Sequence, residues 1–464
     1  MNSDVHSADE LIKEIMRLHR SLLPRPAIEE VEAAMDIISD VDAEEKSRTE
    51  AIGKQVSASD IPEELFSVFQ EMQRCLVRFQ SKGQRREAMK LLDVEGLHNV
   101  FDDLLQRASE CLPLLRSNGS AFKSLVNAGV GEVTGIYLKK ASPEIKALGH
   151  ENEKLNLIKL ASLIEISSKK GIRDLNLQNK LMDEVDWLPN SMAKLSSLTT
   201  LNLSENSLLS LPTAIGFLSS LTELSFRANR ITELPNSMGD LLSLSHLNMA
   251  ANQISSLPMF LGKLVNLVEL NCSSNKLSSL PDAIGQLIHL KKLNIEANNI
   301  EEIPHTIGNC KSLAEFRADY NHLKCLPEAI GRLEFLEVIS VRYNNIKGLP
   351  TTVASLSRLR EIDASFNELE SLPESLCLVT TLVKLNVGNN FADLQSLPRA
   401  IGNFEMLEEL DISNNQIKVL PDSFGMLTQL CVLRMEENPL EVPPKNVAEM
   451  GAQTPRGRKK VEDQ

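Results

Sequence analysis

The sequence predicts an α/β solenoid: a horseshoe whose short strands form one parallel sheet on the concave side, preceded by an all-helical N-terminal region. Three observations point there. A pattern of leucines and one asparagine recurs, mostly every 23 residues, from residue 198 onward. Aromatic residues make up only 4% of the 464, with one Trp and three Tyr, so the core must be built of Leu and Ile. The first 170 residues lack the pattern and instead place apolar residues at three- and four-residue steps, the signature of amphipathic helices.

The repeating unit reads L-x-x-L-x-L-x-x-N-x-L, followed by a step to L-P. Its first clear copy is Leu198, Leu201, Leu203, Asn206, Leu208, Leu211 and Pro212; the next is Leu221, Leu224, Phe226, Asn229, Ile231, Leu234 and Pro235. The anchoring asparagines are Asn206, Asn229, Asn252, Asn275, Asn298, Asn321, Asn344, Asn367, Asn390, Asn415 and Asn438, all 23 apart except for the 25-residue step from Asn390 to Asn415. A signature of this form and length defines the leucine-rich repeat. In x-L-x-L-x the leucines point inward from a strand and the intervening residues face solvent. The Asn follows where the chain turns, and its side chain can satisfy backbone groups that the turn orphans. The Pro stops the strand and opens the return segment. That segment, as in Pro281, Ile284, Gly285, Leu287 and Leu290, supplies a second inward row. One repeat cannot bury its own apolar side, so stability comes from its neighbours. A degenerate first copy contains Ile172, Leu175, Leu177, Leu188 and Pro189, with Asn179 one place early. The two extra residues near Phe391-Ala392-Asp393 are expected to bulge that turn, changing local curvature or offering a landmark to a partner.

The predicted organisation is a helical region with flexible linkers over 1–150, a helical N-cap of the solenoid over 151–171, the solenoid over 172–443 and a polar basic tail over 444–464. In the helical region, Asp60 and Ile61-Pro62-Glu63-Glu64 read as a helix start. Leu65, Phe69, Met72, Leu76 and Phe79 form one stripe, and Leu97, Phe101, Leu104, Ala108, Cys111 and Leu115 a second. A further helix is expected from Ser142-Pro143-Glu144, and residues 39–60 and 117–135 read as connections. The stripes predict either a bundle packed on itself or against the solenoid, or a surface for self-association or a partner.

Composition narrows the function. A net charge of −14 argues against nucleic acid as a partner, because phosphate binding needs a coherent basic stripe. The only basic run, Arg456, Arg458, Lys459 and Lys460, reads as a solvated end. The N-terminus, with Asp4, Asp9 and Glu10, does not read as a secretory signal, and no segment approaches the ~20 apolar residues of a membrane span. Seven scattered cysteines without a CxxC pair fit a reducing compartment; Cys272 and Cys310 occupy aliphatic columns and read as buried. His150-Glu151 lacks the second histidine of a zinc helix, since Lys154 stands there, and Gly129, Gly131 and Gly135 precede no P-loop lysine. Neither a metal site nor a cofactor site is expected, and the chain does not read as an enzyme.

On the concave face, the residue before the Asn is Tyr320, Tyr343 and Phe366 in three consecutive repeats. Strands ~4.8 Å apart allow these rings to form a ladder. Arg317 and Arg342 share those strands, with Asp319 and Asp363 nearby, and Arg227, His246, Glu269 and Glu315 supply secondary contacts. Aromatics and arginines dominate interface energies, so this patch is the candidate protein-binding site. The alternative is that the rings pack on one another and seal the turn edge of the solenoid.

The L-P-x-x-I-G-x-L-x-x-L form, with KLNLIKLASLIE over 154–165, LQNKLM over 177–182, RADYN over 317–321, SVRYNNI over 340–346 and NNFAD over 389–393, resembles the plant intracellular Ras-group-related leucine-rich-repeat proteins. The resemblance implies a cytoplasmic, membrane-peripheral or nuclear scaffold for protein partners in signal transduction, with small GTPase or phosphatase modules as candidate partners. After Met450-Gly451-Ala452-Gln453, where similar chains continue into another helical stretch, this one reads TPRGRKKVEDQ. Two other readings compete with the scaffold: an enzyme or enzyme regulator acting through the N-terminal helices, and a self-assembling structural protein.

Overall fold

Three inward-pointing aliphatics and one proline in each 23-residue unit dictate a short strand, a turn and a return. The computed structural model, which describes residues 2–56, 62–115, 154–390 and 394–441, has this arrangement. Among the described residues, twelve three-residue strands, from β1 (Asp174–Asn176) through β2 (Thr200–Asn202) to β12 (Val432–Arg434), form one parallel sheet in sequence order. Equivalent residues pair throughout, Leu201 with Leu224 and Leu224 with Leu247, for example. The degenerate first copy supplies β1. The register also holds across the two-residue insertion, where Lys384 pairs with Glu409 and Leu385 with Leu410; Phe391-Ala392-Asp393 themselves lie outside the described residues.

The prolines of the L-P step hold extended backbone, as at Pro281 (φ −71°, ψ 151°), and open a short 3-10 helix such as Asp282–Gln286, except after Pro398, where the helix is Ile401–Asn403 and begins after Ala400. Ile284, Leu287 and Leu290 are fully buried, so the return forms the second wall of the core. Consecutive returns approach closely. A Cβ on Gly285 would lie 2.5 Å from the Thr306 carbonyl oxygen of the next repeat. Gly285→Ala is therefore expected to destabilise the chain by ~1–3 kcal/mol, measured by denaturant unfolding. Cys272 and Cys310 are buried as expected, and burial pushes both thiols up to about 12.

The chain divides into a helical unit, Met1–Lys169, and a repeat unit, Lys170–Gln464. The helical unit contains α1 (Asn2–Ser21), α2 (Ile28–Gly53), α3 (Glu63–Leu115) and α4 (Leu157–Lys170), the last in the segment expected to precede the solenoid. One expectation needs correction. Residues 39–53 are not a connection but the second half of α2, because their Ala, Glu, Lys and Arg favour helix. Val41 and Ile52 there are buried, like Ala33, Ala34 and Ile37 earlier in the helix. Both stripes lie on α3, which runs 53 residues without a break, the segment between them being rich in Arg, Glu, Met, Lys and Leu. Arg25 ties the α1–α2 connection to α3 through Glu95 (2.7 Å) and Asp102 (2.8 Å), and Gln70 on α3 donates to the Ile52 carbonyl of α2 (2.9 Å). Lys169 on α4 pairs with Glu29 and Glu32 of α2. The side chains of Cys111 and Leu115, the start expected at Ser142-Pro143-Glu144 and the connection 117–135 lie outside the described residues. Among the described residues no helix is long and apolar enough to cross a membrane.

Candidate protein-binding face

The site depends on the turn that closes each strand. Asn321 shows how it is held: its amide nitrogen lies 2.9 Å from the Ile295 carbonyl of the preceding repeat and 3.2 Å from the Ala318 and Asp319 carbonyls of its own. Its oxygen accepts the Ile300 N–H at 3.0 Å. The ladder asparagines from Asn229 to Asn438 repeat this pattern, as at Asn229 and Asn298. At the insertion, the N–H of Asn390 donates to Asn415 Oδ1 (3.1 Å).

This turn puts the residue before each ladder position in the left-handed region, with φ between 51° and 60° in all twelve repeats and no glycine among them. Asn179 belongs to this column, which explains why it reads one place early; Lys180 occupies the ladder position. The left-handed residue continues the inter-repeat hydrogen bonding, Tyr320 N–H to the Arg342 carbonyl (2.9 Å) and Tyr343 N–H to the Ser365 carbonyl (3.1 Å). Pairing between repeats thus outweighs the ~1–2 kcal/mol that an L-residue loses there.

Tyr320, Tyr343 and Phe366 stack in that column. Ring centroids are 4.4 Å apart for the first pair and 4.1 Å for the second, with planes within 11° of parallel. Tyr320 is 48% and Tyr343 38% exposed, and Phe366 is half-buried. The rings therefore pack on one another, as the alternative expected, and still present their edges to solvent. The Arg342 guanidinium lies 5.6 Å from the Tyr320 ring centroid.

Asp319 departs from the expected surface contact. It is 2% exposed and accepts hydrogen bonds from Ser340 Oγ (2.6 Å), Arg342 N–H (3.1 Å) and Arg342 Nε (3.0 Å). It holds the Arg342 guanidinium through Nε, 5.6 Å from the Tyr320 ring centroid. Sequence reasoning missed Ser340, whose only signal is a small hydroxyl residue near an acidic one of the preceding repeat. Burial pushes the Asp319 carboxyl above the ordinary aspartate range, against the Ser340 hydroxyl and the Arg342 charge. A carboxyl raised on folding contributes its stability in full below its unfolded value, near ~3.9, and loses it as pH rises through the folded value. Wild type is therefore expected to gain melting temperature relative to Asp319→Asn as pH is lowered from neutral toward that value.

The remaining residues spread along the sheet. Arg317 pairs with Glu315 on the same strand, and Asp363 accepts from Ser365 N–H (3.1 Å) and Oγ (2.6 Å). His246 meets the Ser245 hydroxyl through Nδ1 (2.8 Å), Arg227 is exposed, and Glu269 bridges to Lys292 (2.9 Å). Arg227 and His246 lie several strands from the aromatic stack, so the structure does not gather all the expected residues into one patch. Tyr320, Tyr343, Phe366, Arg317, Arg342 and Asp363 do share one, on adjacent repeats.

A continuous parallel sheet with one asparagine turn per strand defines the class, and family models for the leucine-rich repeat match residues 196–254 and again 266–287, 289–310 and 406–427. The repeat unit has the leucine-rich-repeat fold. More narrowly, the chain is similar to the plant intracellular Ras-group-related LRR proteins: it is 52% identical to protein 4 of Arabidopsis thaliana, over 46% of this chain and 47% of that protein. With protein 4 of Oryza sativa subsp. japonica the identity is 51%, over 44% and 48% respectively. The chain spans about half the length of the curated relatives it matches. Among solved structures, an LRR protein of Leptospira interrogans superposes with a TM-score of 0.57 at 25% identity, covering 64% of this chain and 86% of that one.

Proposed function

We propose that the chain is a non-enzymatic scaffold that binds protein partners on the concave face of its solenoid, in intracellular signal transduction. One observation carries this reading: three stacked, solvent-edged aromatics beside an arginine fixed by a buried carboxylate. Large rigid rings lose little side-chain entropy on binding, and Arg342 is held before a partner arrives, so both lower the cost of association. The site is an open sheet surface, which suits a macromolecule better than a small substrate needing an enclosing cleft. The relatives' names, intracellular and Ras-group-related, support the setting and make small GTPase and phosphatase modules the first partners to test. The experiment is affinity capture by the full chain from a lysate of its source, comparing wild type with Tyr343→Ala/Phe366→Ala. Loss of specific partners from the folded variant is expected; an unchanged partner set would remove the concave patch as the binding site.

A further inference from the structure

In the N-terminal half of α3, the covered face is mixed, with half-buried Phe66 and Val77 among polar residues, while a larger apolar stripe is left open to solvent. The covered side presents Gln70, which bonds to α2, together with buried Ser81 and Ala88, and Arg85 pairs there with Asp42 and Glu45. The open side presents Leu65, Val68, Phe69, Met72, Leu76 and Phe79, among them Leu65 and Met72 at 62% exposure and Phe79 at 76%. A soluble helix ordinarily buries its apolar stripe, so this one is incomplete as it stands.

The spacing and charge indicate what completes it. Leu65, Phe69, Met72, Leu76 and Phe79 follow one another at steps of four, three, four and three, the 3.5-residue period of a seam between two helices. The charges are segregated along the same segment: exposed Glu63 and Glu64 stand before the stripe, and exposed Lys82 and Arg86 stand after it. Two copies laid antiparallel set Phe69 against Phe79 and Met72 against Leu76, and bring each acidic end onto the basic end of the other. A parallel pair would put like charge beside like. These six residues expose about 800 Å² per chain, an upper bound on what a second helix could cover and on the scale of the ~800 Å² that each partner buries in a standard stable interface.

We infer that the chain forms an antiparallel homodimer through residues 65–79 of α3, separately from any binding on the concave sheet. The two-fold axis then passes at residue 74, so exposed Cys75, one residue away, approaches its counterpart. The test uses the full chain in sedimentation velocity, with a short bis-maleimide as a cross-linker. Wild type is expected at twice the chain mass and to cross-link through Cys75. Phe69→Glu/Leu76→Glu is expected to sediment as a monomer with an unchanged helical signal, its dissociation constant raised at least a hundredfold. Lys82→Glu/Arg86→Glu, which touches only exposed side chains, should weaken the dimer about tenfold at low salt, and adding Glu63→Lys/Glu64→Lys should restore it. A monomeric wild type at its highest soluble concentration overturns the inference. So does a dimer that survives Phe69→Glu/Leu76→Glu, or a charge reversal that the second pair fails to rescue. A monomeric wild type whose stripe instead captures another protein assigns the face to that protein and overturns it equally.

Discussion

Asn321→Leu is expected to destabilise the solenoid by about 4 kcal/mol, among the largest losses a single side chain here can produce. The replacement has similar volume and is apolar, so it removes hydrogen bonds without opening a large void. Asn321 is 5% exposed, and its amide serves the Ile300 N–H and the Ile295 and Ala318 carbonyls. Each buried backbone group left without a partner costs ~1–3 kcal/mol, and three such groups account for the estimate. Because repeats interact chiefly with their neighbours, position matters. Asn321 sits mid-array and its loss disconnects two halves, whereas Asn438→Leu loosens only the contact of the last strand. Urea unfolding followed by circular dichroism should show a large drop in midpoint for Asn321→Leu and a smaller, pre-transition loss for Asn438→Leu. Equal midpoints for wild type and Asn321→Leu would remove the ladder as a stabilising device.

The direction of the ladder bonds also explains the one repeat that breaks the pattern. Each asparagine reaches back to the preceding repeat, as Asn206 does to the Leu177 carbonyl and the Leu181 N–H. The opening repeat has no earlier repeat to bridge, so Lys180 can occupy its ladder position.

What was legible in the sequence follows from how local its causes are. The strand leucines, the asparagine turns and the proline-led returns repeat in register, and each has a reason within its own dozen residues. The left-handed column was hidden because nothing in Glu205, Ala228, Ser274 or Tyr343 favours positive φ; hydrogen bonds from the next repeat impose it. The burial of Asp319 was hidden for the same reason, since Ser340 and Arg342 come from the next repeat. In the helical unit, polar composition disguised the second half of α2 as a connection, although Val41 and Ile52 there are buried. The stripe on α3 was legible as a stripe. Its outward direction was not, because periodicity identifies a face without saying which way it turns.

Replacing two of the stacked rings separates binding from folding more cleanly than any other change on the concave face. In Tyr343→Ala/Phe366→Ala the new residues must adopt positive φ, which alanine ordinarily resists, but Ala228, Ala251 and Ala297 already occupy this column with φ of 52–55°. The backbone therefore tolerates the exchange, and the folded state loses mainly ring stacking, ~0.5–1.5 kcal/mol per pair. A partner loses more. Anchors of this type contribute ~2 kcal/mol or more each, about thirtyfold in affinity, so the double variant should bind at least a hundredfold more weakly once incomplete additivity is allowed for. Titration calorimetry against a captured partner measures this loss, while the far-UV circular dichroism spectrum and melting temperature stay near those of wild type. Phe217, 69% exposed at the end of a return segment, provides the control: Phe217→Ala removes an equal ring from the opposite wall and should leave affinity unchanged. If both variants bind as wild type does, the stack seals the turn edge and partners dock elsewhere. If only the double variant fails while remaining folded, strained backbone and half-exposed rings together make the contact surface.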